Sequence, residues 1–183
     1  MNQSIKAVVF LLFAAISSLG FFSCLNKKHQ SNVLLAYSTE HYFSNSKTKD
    51  LFKLTLTGDS ILSGRIVFEI FTKNKNKIFV DSFSGYDMVD DMKDPKFTLK
   101  QKEDTIKKAI SLFFNDVNFM RPAATDADTV FMEEFGEGES YEDIKADTSA
   151  VGFSYAFGVE NLYYIAYSKK EKKVVTYLST VSR

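Results

Sequence analysis

Leu51-Phe52-Lys53-Leu54-Thr55-Leu56-Thr57-Gly58-Asp59 is the stretch that decides how this chain folds. Phe52, Leu54 and Leu56 alternate with Lys53, Thr55 and Thr57, the two-residue period of a strand with one buried and one wet face. Gly58-Asp59 has the composition of a two-residue hairpin turn. The spacing predicts a return strand from Ile61 to Thr72, with Ile66, Phe68 and Ile70 on its apolar face. Asn74-Lys75-Asn76 then reads as a second turn and Lys77 to Phe83 as a further strand. Val33 to Tyr37 offers an earlier strand, followed by a polar stretch to Asp50. The pattern is an antiparallel meander.

A helix follows. Thr98-Leu99-Lys100-Gln101 has the form of a capping box, in which the Thr98 side chain accepts from a free amide and Gln101 reaches back. Ile106, Ala109, Ile110, Phe113 and Val117 recur at helical spacing, with Lys102, Glu103, Lys107 and Lys108 elsewhere around the wheel. This predicts one amphipathic helix over residues 99–116, and Pro122 blocks easy continuation. Asp126 to Asp147 is acidic, with Lys145 the only base. Within it Thr129 to Met132 reads as a short strand and Gly136 to Ser140 as a mobile loop. Phe153, Tyr155 and Phe157 alternate again, Leu162 to Tyr167 is apolar on both faces like a strand covered twice, and Val174 to Val181 closes a hairpin after a charged turn. Residues 33–183 are therefore expected to form one α+β domain. It would have a curved, largely antiparallel sheet of about six to eight strands, with the single long helix packed across one face. A partly closed barrel is the alternative.

Composition narrows the function classes. The 183 residues carry equal numbers of acidic and basic side chains and show no basic stripe to neutralise phosphates, which argues against nucleic acid as a partner. Cys24 is the only cysteine, so no disulfide can form within the chain and packing must hold the domain. Its 18 Phe and 9 Tyr supply large areas for that packing.

The N-terminal segment carries the clearest functional signal. Lys6 precedes an apolar run from Ala7 to Phe22, then Ser23 and Cys24. This layout resembles the signal peptide of bacterial lipoproteins, in which a small residue before a cysteine marks the cut and that cysteine becomes the lipid-bearing N-terminus. The resemblance implies a signal peptide over residues 1–23, lipid (palmitate-type) attachment at Cys24, and a tether over residues 24–32. The mature chain would then be held at a membrane of the cell envelope, facing the periplasm or the cell surface. Competing readings are an uncleaved anchor, for which the run is short, and ordinary cleavage after Gly20, which leaves Cys24 without a role.

Candidate chemistry is sparse. Gly58-Asp59-Ser60-Ile61, followed by Gly64, resembles the nucleophile block of the Gly-Asp-Ser-Leu (SGNH) hydrolase family, which implies a serine nucleophile and a histidine base near the C-terminus. A serine hydroxyl needs such a base, and the only histidines, His29 and His41, both precede Ser60. Two histidines and one cysteine give no zinc set. Asp87, Asp90, Asp91 and Asp94 are hard oxygen ligands of the kind calcium takes, but lack the spacing of a calcium loop. No cofactor and no metal is expected. The remaining candidates are binding surfaces: the acidic residues Glu133, Glu134, Glu137 and Glu139 for a basic partner, and the rings of Tyr155, Tyr163 and Tyr167 for a protein or glycan, provided nothing covers that strand face. The reading is a non-catalytic binding domain on a lipid anchor. A carboxylate-based envelope hydrolase and an accessory subunit of an envelope complex are its alternatives.

Overall fold

The alternation through Phe52, Leu54 and Leu56 buries all three on the inner face of a four-stranded antiparallel sheet. A computed structural model describes residues 32–92, 94–125, 138–157 and 161–180. The first sheet runs in the order β1 (Val33–Tyr42), β2 (Lys49–Thr57), β3 (Arg65–Phe71), β4 (Lys77–Ser84). Its register pairs Leu56 with Ile66, Leu54 with Phe68 and Phe52 with Ile70. Cross-strand pairs share a face, so these six apolar side chains form one sheet of hydrocarbon.

A second four-stranded antiparallel sheet holds β5 (Phe119–Met120), β6 (Gly152–Phe157), β7 (Asn161–Ser168) and β8 (Lys173–Ser179), again in chain order. The expected single curved sheet is thus two sheets, each a meander paired only with itself. The domain is α+β. The sheets face each other across an aromatic layer. Phe153 and Tyr155 of β6 meet Phe52 and Phe68, with ring centroids 5.3–5.5 Å apart. At the open edges His41 of β1 stacks on Phe119 of β5 at 3.6 Å. β7 is covered twice, as its sequence implies: Ile165 joins the main core, and Ala166 joins a second, smaller core with Val175 and Tyr177.

The helix α1 (Leu99–Leu112) starts as read. Gln101 N–H donates to Thr98 Oγ1, and Thr98 N–H donates to Gln101 Oε1 at 2.8 Å. Ile106, Ile110 and the following Phe113 enter the main core. The helix ends four residues before the expected Asp116. Phe113 and Phe114 are neighbours, which a helix would splay by about 100°, yet both contact Phe68. Stopping the helix lets both rings turn inward. Asn115 then caps a short 3-10 turn, and Val117, expected on the buried face, is 79% exposed.

Two other expectations change. Gly58-Asp59 opens a seven-residue connection, Gly58 to Gly64, because Thr57 pairs with Arg65. Gly58 has φ +136°, and a Cβ on Gly64 would stand 2.7 Å from the Ser60 carbonyl, so this loop is folded tightly back on itself. In the acidic segment, the loop expected from Gly136 to Ser140 gives way to a second helix, α2 (Gly138–Ala146). Its only strongly buried residues, Tyr141 and Ile144, stand three apart and dock on the second sheet's outer face. The strand expected at Thr129 to Met132, Gly136 itself and the whole N-terminal segment lie outside the described residues.

The rings make a quantitative prediction. Phe68 is fully buried and contacts six other aromatic rings. Phe68→Ala should cost about 3–5 kcal/mol in urea unfolding, against about 1 kcal/mol for Thr98→Ala, which removes only the cap. A loss at Phe68 no larger than that at Thr98 would refute the central place of this layer.

Candidate functional site

The tyrosines expected as a binding surface lie on the inner face of the second sheet, where Tyr155 is buried against the first sheet and Tyr163 and Tyr167 are half-buried. Tyr155 is 5% exposed and packs among Phe68, Phe113 and Phe153. That placement removes it as a surface contact. Its hydroxyl donates to Asp81 Oδ2 at 3.0 Å. Asp81 is the register partner of Phe68 and so points into the core; its other oxygen accepts from Ser82 N–H at 2.7 Å. An acid on a hydrophobic face is tolerated because both oxygens are satisfied. Burial, and then the neighbouring Asp81 carboxylate, push the Tyr155 phenol far above its ordinary value. Tyr163 stacks on Tyr155 at 5.3 Å and is raised by the same two causes. Tyr163 and Tyr167 are half-buried against the core.

No histidine contacts the Gly-Asp-Ser loop among the described residues. Ser60 Oγ lies 2.6 Å from Ser63 Oγ and accepts from Ser63 N–H. His41 pairs with Asp50 at the far end of β2, seven residues from Thr57, or about 23 Å at 3.3 Å per residue. There its ring sits between Phe119 and Phe52, with Nε2 3.7 Å from Asp116, and burial lowers its pKa more than Asp116 raises it.

The carboxylates are dispersed. Asp87 Oδ2 accepts from Ser84 N–H at 2.6 Å, an ordinary turn contact, and Asp94 pairs with Lys96. No group of three or more metal-ligating side chains occurs among the described residues. Glu139 is exposed in the first turn of α2, while Glu133, Glu134, Glu137 and Cys24 lie outside the described residues.

The surface that sequence reading missed is the outer face of the first sheet. Lys53, Thr55, Thr57, Arg65, Val67 and Glu69 line a broad hollow of about 630 Å³ there. Glu69 pairs with Lys77 at 2.6 Å, and Arg65 donates to Ser82 Oγ at 3.1 Å. Asp59 stands at the loop end of this hollow, which thus carries charges of both signs and hydroxyls. Alternation marked these positions as wet, but curvature is not written in a two-residue period.

The buried phenol gives a signed pH prediction. In the unfolded chain Tyr155 ionises near 10.0, whereas the fold holds it protonated. Its stabilising contribution is complete below about pH 10 and is lost as pH rises above that value. Tyr155→Phe should lower stability by about 1 kcal/mol near neutral pH and then decline less steeply than wild type under alkaline conditions. Equal alkaline slopes in urea unfolding would contradict this burial.

No protein-family model, no curated protein and no solved structure matches the chain.

Proposed function

We propose that the chain is a lipid-anchored protein of the cell envelope whose folded domain binds a protein or glycan partner and carries out no chemistry on it. The observation that carries this reading is the order Lys6, apolar run, Ser23-Cys24, basic tether, domain. A diacylglyceryl group joined to Cys24 through a thioether brings two acyl chains, which hold a protein stably at a bilayer where a single chain binds only marginally. The tether leads straight into β1, so the first sheet is the part of the domain joined most directly to the anchor.

Two further observations support binding over turnover. The one described histidine, His41, pairs with Asp50 at the end of β2 away from the loop that holds Ser60, and the hollow of the first sheet carries charges of both signs. Its outer face and the acidic run through Glu133, Glu134, Glu137 and Glu139 are the surfaces a partner would meet. Residues Leu25-Asn26-Lys27-Lys28 carry no acid after Cys24; by resemblance to proteobacterial lipoproteins this favours release from the inner membrane.

Cys24→Ala should abolish incorporation of a palmitate analogue and free the protein from the membrane pellet. Persistent labelling would contradict the anchor. Partners captured from intact membranes should be lost at about 1 M salt, where the screening length shrinks to about 3 Å. Lys53→Glu with Arg65→Glu should lose a partner held by the hollow, and glutamine at the four glutamates one held by the acidic run. Salt-insensitive capture unchanged by both sets would remove these two surfaces from the proposal.

A further inference from the structure

A smaller and more enclosed cleft lies where the ends of the two sheets meet. It measures about 130 Å³ and is walled by the β1–β2 loop, the turn entering β6, and the ends of β5 and β7. Three charged residues line it: Arg121, Lys169 and Asp147. Lys169 is committed, with Nζ 2.6 Å from Asp147 Oδ2 and 2.9 Å from Ser149 Oγ. Arg121 is exposed and makes no hydrogen bond or ion pair among the described residues. Arg121 is thus the one cation lining the cleft that has no partner among the described residues.

The walls are held in place before any ligand arrives. Asn45 Oδ1 accepts from Lys47 N–H and Thr48 N–H at 2.9 and 2.8 Å. Behind the loop, the fully buried Asp50 accepts from Ser44 N–H at 2.6 Å through Oδ2. Opposite, Ser149 N–H and Oγ both donate to Asp147 Oδ1. Burial pushes the Asp147 carboxyl up, but the hydrogen bonds from Lys169 and Ser149 outweigh it and hold the group below its ordinary value, so it stays ionised. Phe43, Val151 and Tyr167 add apolar wall.

We propose that this cleft binds a monocarboxylate with a short apolar body, its carboxylate held by the Arg121 guanidinium. The inference goes beyond the binding reading above, which places a partner on other surfaces. A planar guanidinium matches a carboxylate with two parallel N–H···O bonds, and a single uncommitted cation suits a monoanion better than a phosphate dianion. The volume of about 130 Å³ is close to the roughly 150 Å³ of an enclosed cavity that takes benzene, so the open cleft suits an acid with a single small ring such as benzoate. The carboxylate is either that of a free small acid or the C-terminus of a polypeptide.

The test titrates the full chain, in detergent, with sodium benzoate and with the neutral benzamide at matched ionic strength. Benzoate should saturate and shift the backbone amide resonances of Ser44 to Ser46 and of Ser149, and benzamide should not. Arg121→Met should weaken benzoate by about tenfold or more, and Arg121→Lys should restore part of the loss, because charge returns without the fork. Equal responses to benzoate and benzamide, an unchanged benzoate affinity in Arg121→Met, or shifts confined to other surfaces would each overturn the site. Competition by a short peptide with a free C-terminal carboxylate, and not by its amide, upholds the site with a chain end as its source. Benzoate binding without such competition upholds it with a free acid. Palmitate labelling of Arg121→Met reports on Cys24 separately, so failure of the cleft is distinguishable from failure of the anchor.

Discussion

The contact between Phe52 and Phe68 on one sheet and Phe153 and Tyr155 on the other is the interaction from which the rest of the domain follows. These rings meet tilted or edge-on at 5.3–5.5 Å, the arrangement in which aromatic quadrupoles attract. With no cysteine beyond Cys24, no disulfide can restrain the unfolded chain. Cohesion between the sheets therefore comes from buried apolar area. Phe113 and Phe114 extend the same layer to the end of α1, which explains why the helix stops where it does. The inward turn of two adjacent rings outweighs another helical turn.

How much of this was legible depended on the range of the interaction. The capping box at Thr98 and Gln101, the turn at Asn74 to Asn76 and the alternation in β2, β3 and β6 involve residues near one another in the chain, and they stood in the sequence as they stand in the fold. The division into two sheets did not. Strand alternation says which side chains share a face, but not which strand pairs with which. Phe52 would alternate identically in a single sheet. The second helix was hidden for a different reason. Tyr141 and Ile144 are its only strongly buried side chains, and Asp143, which accepts from the buried Ser168 of β7, reads in the sequence as one more solvated carboxylate. Val117 shows the opposite failure, a helical period continued past the residue at which packing ended it.

The tyrosines show why a site is harder to read than a fold. Their clustering and their common face were visible in the sequence, but what covered that face was not. Covered by the first sheet, Tyr155 becomes a structural donor that satisfies Asp81, and its hydroxyl serves the core. The outer hollow and the end cleft were invisible for the complementary reason. Both are made of residues that look like ordinary solvated positions, and only curvature or the meeting of distant loops turns them into surfaces. Arg121 and Lys169 are 48 residues apart in the chain, and no local pattern joins them.

The placement of the cleft follows from the same physics as the core. A ring layer packed this closely leaves little room for a ligand between the sheets, since interiors approach crystal density and a void forfeits contacts. Polar recognition is therefore displaced to the sheet ends, where loops can present backbone and charge without burying them. There the Asn45 and Asp50 hydrogen bonds stiffen one wall and the Asp147–Lys169–Ser149 network the other. Rigidity built before binding reduces the ordering cost of capture. Because Asp147 already satisfies Lys169, Arg121 is the one cation of the cleft whose hydrogen-bonding capacity is unspent within the described structure. Recognition there becomes a matter of guanidinium geometry more than of total charge.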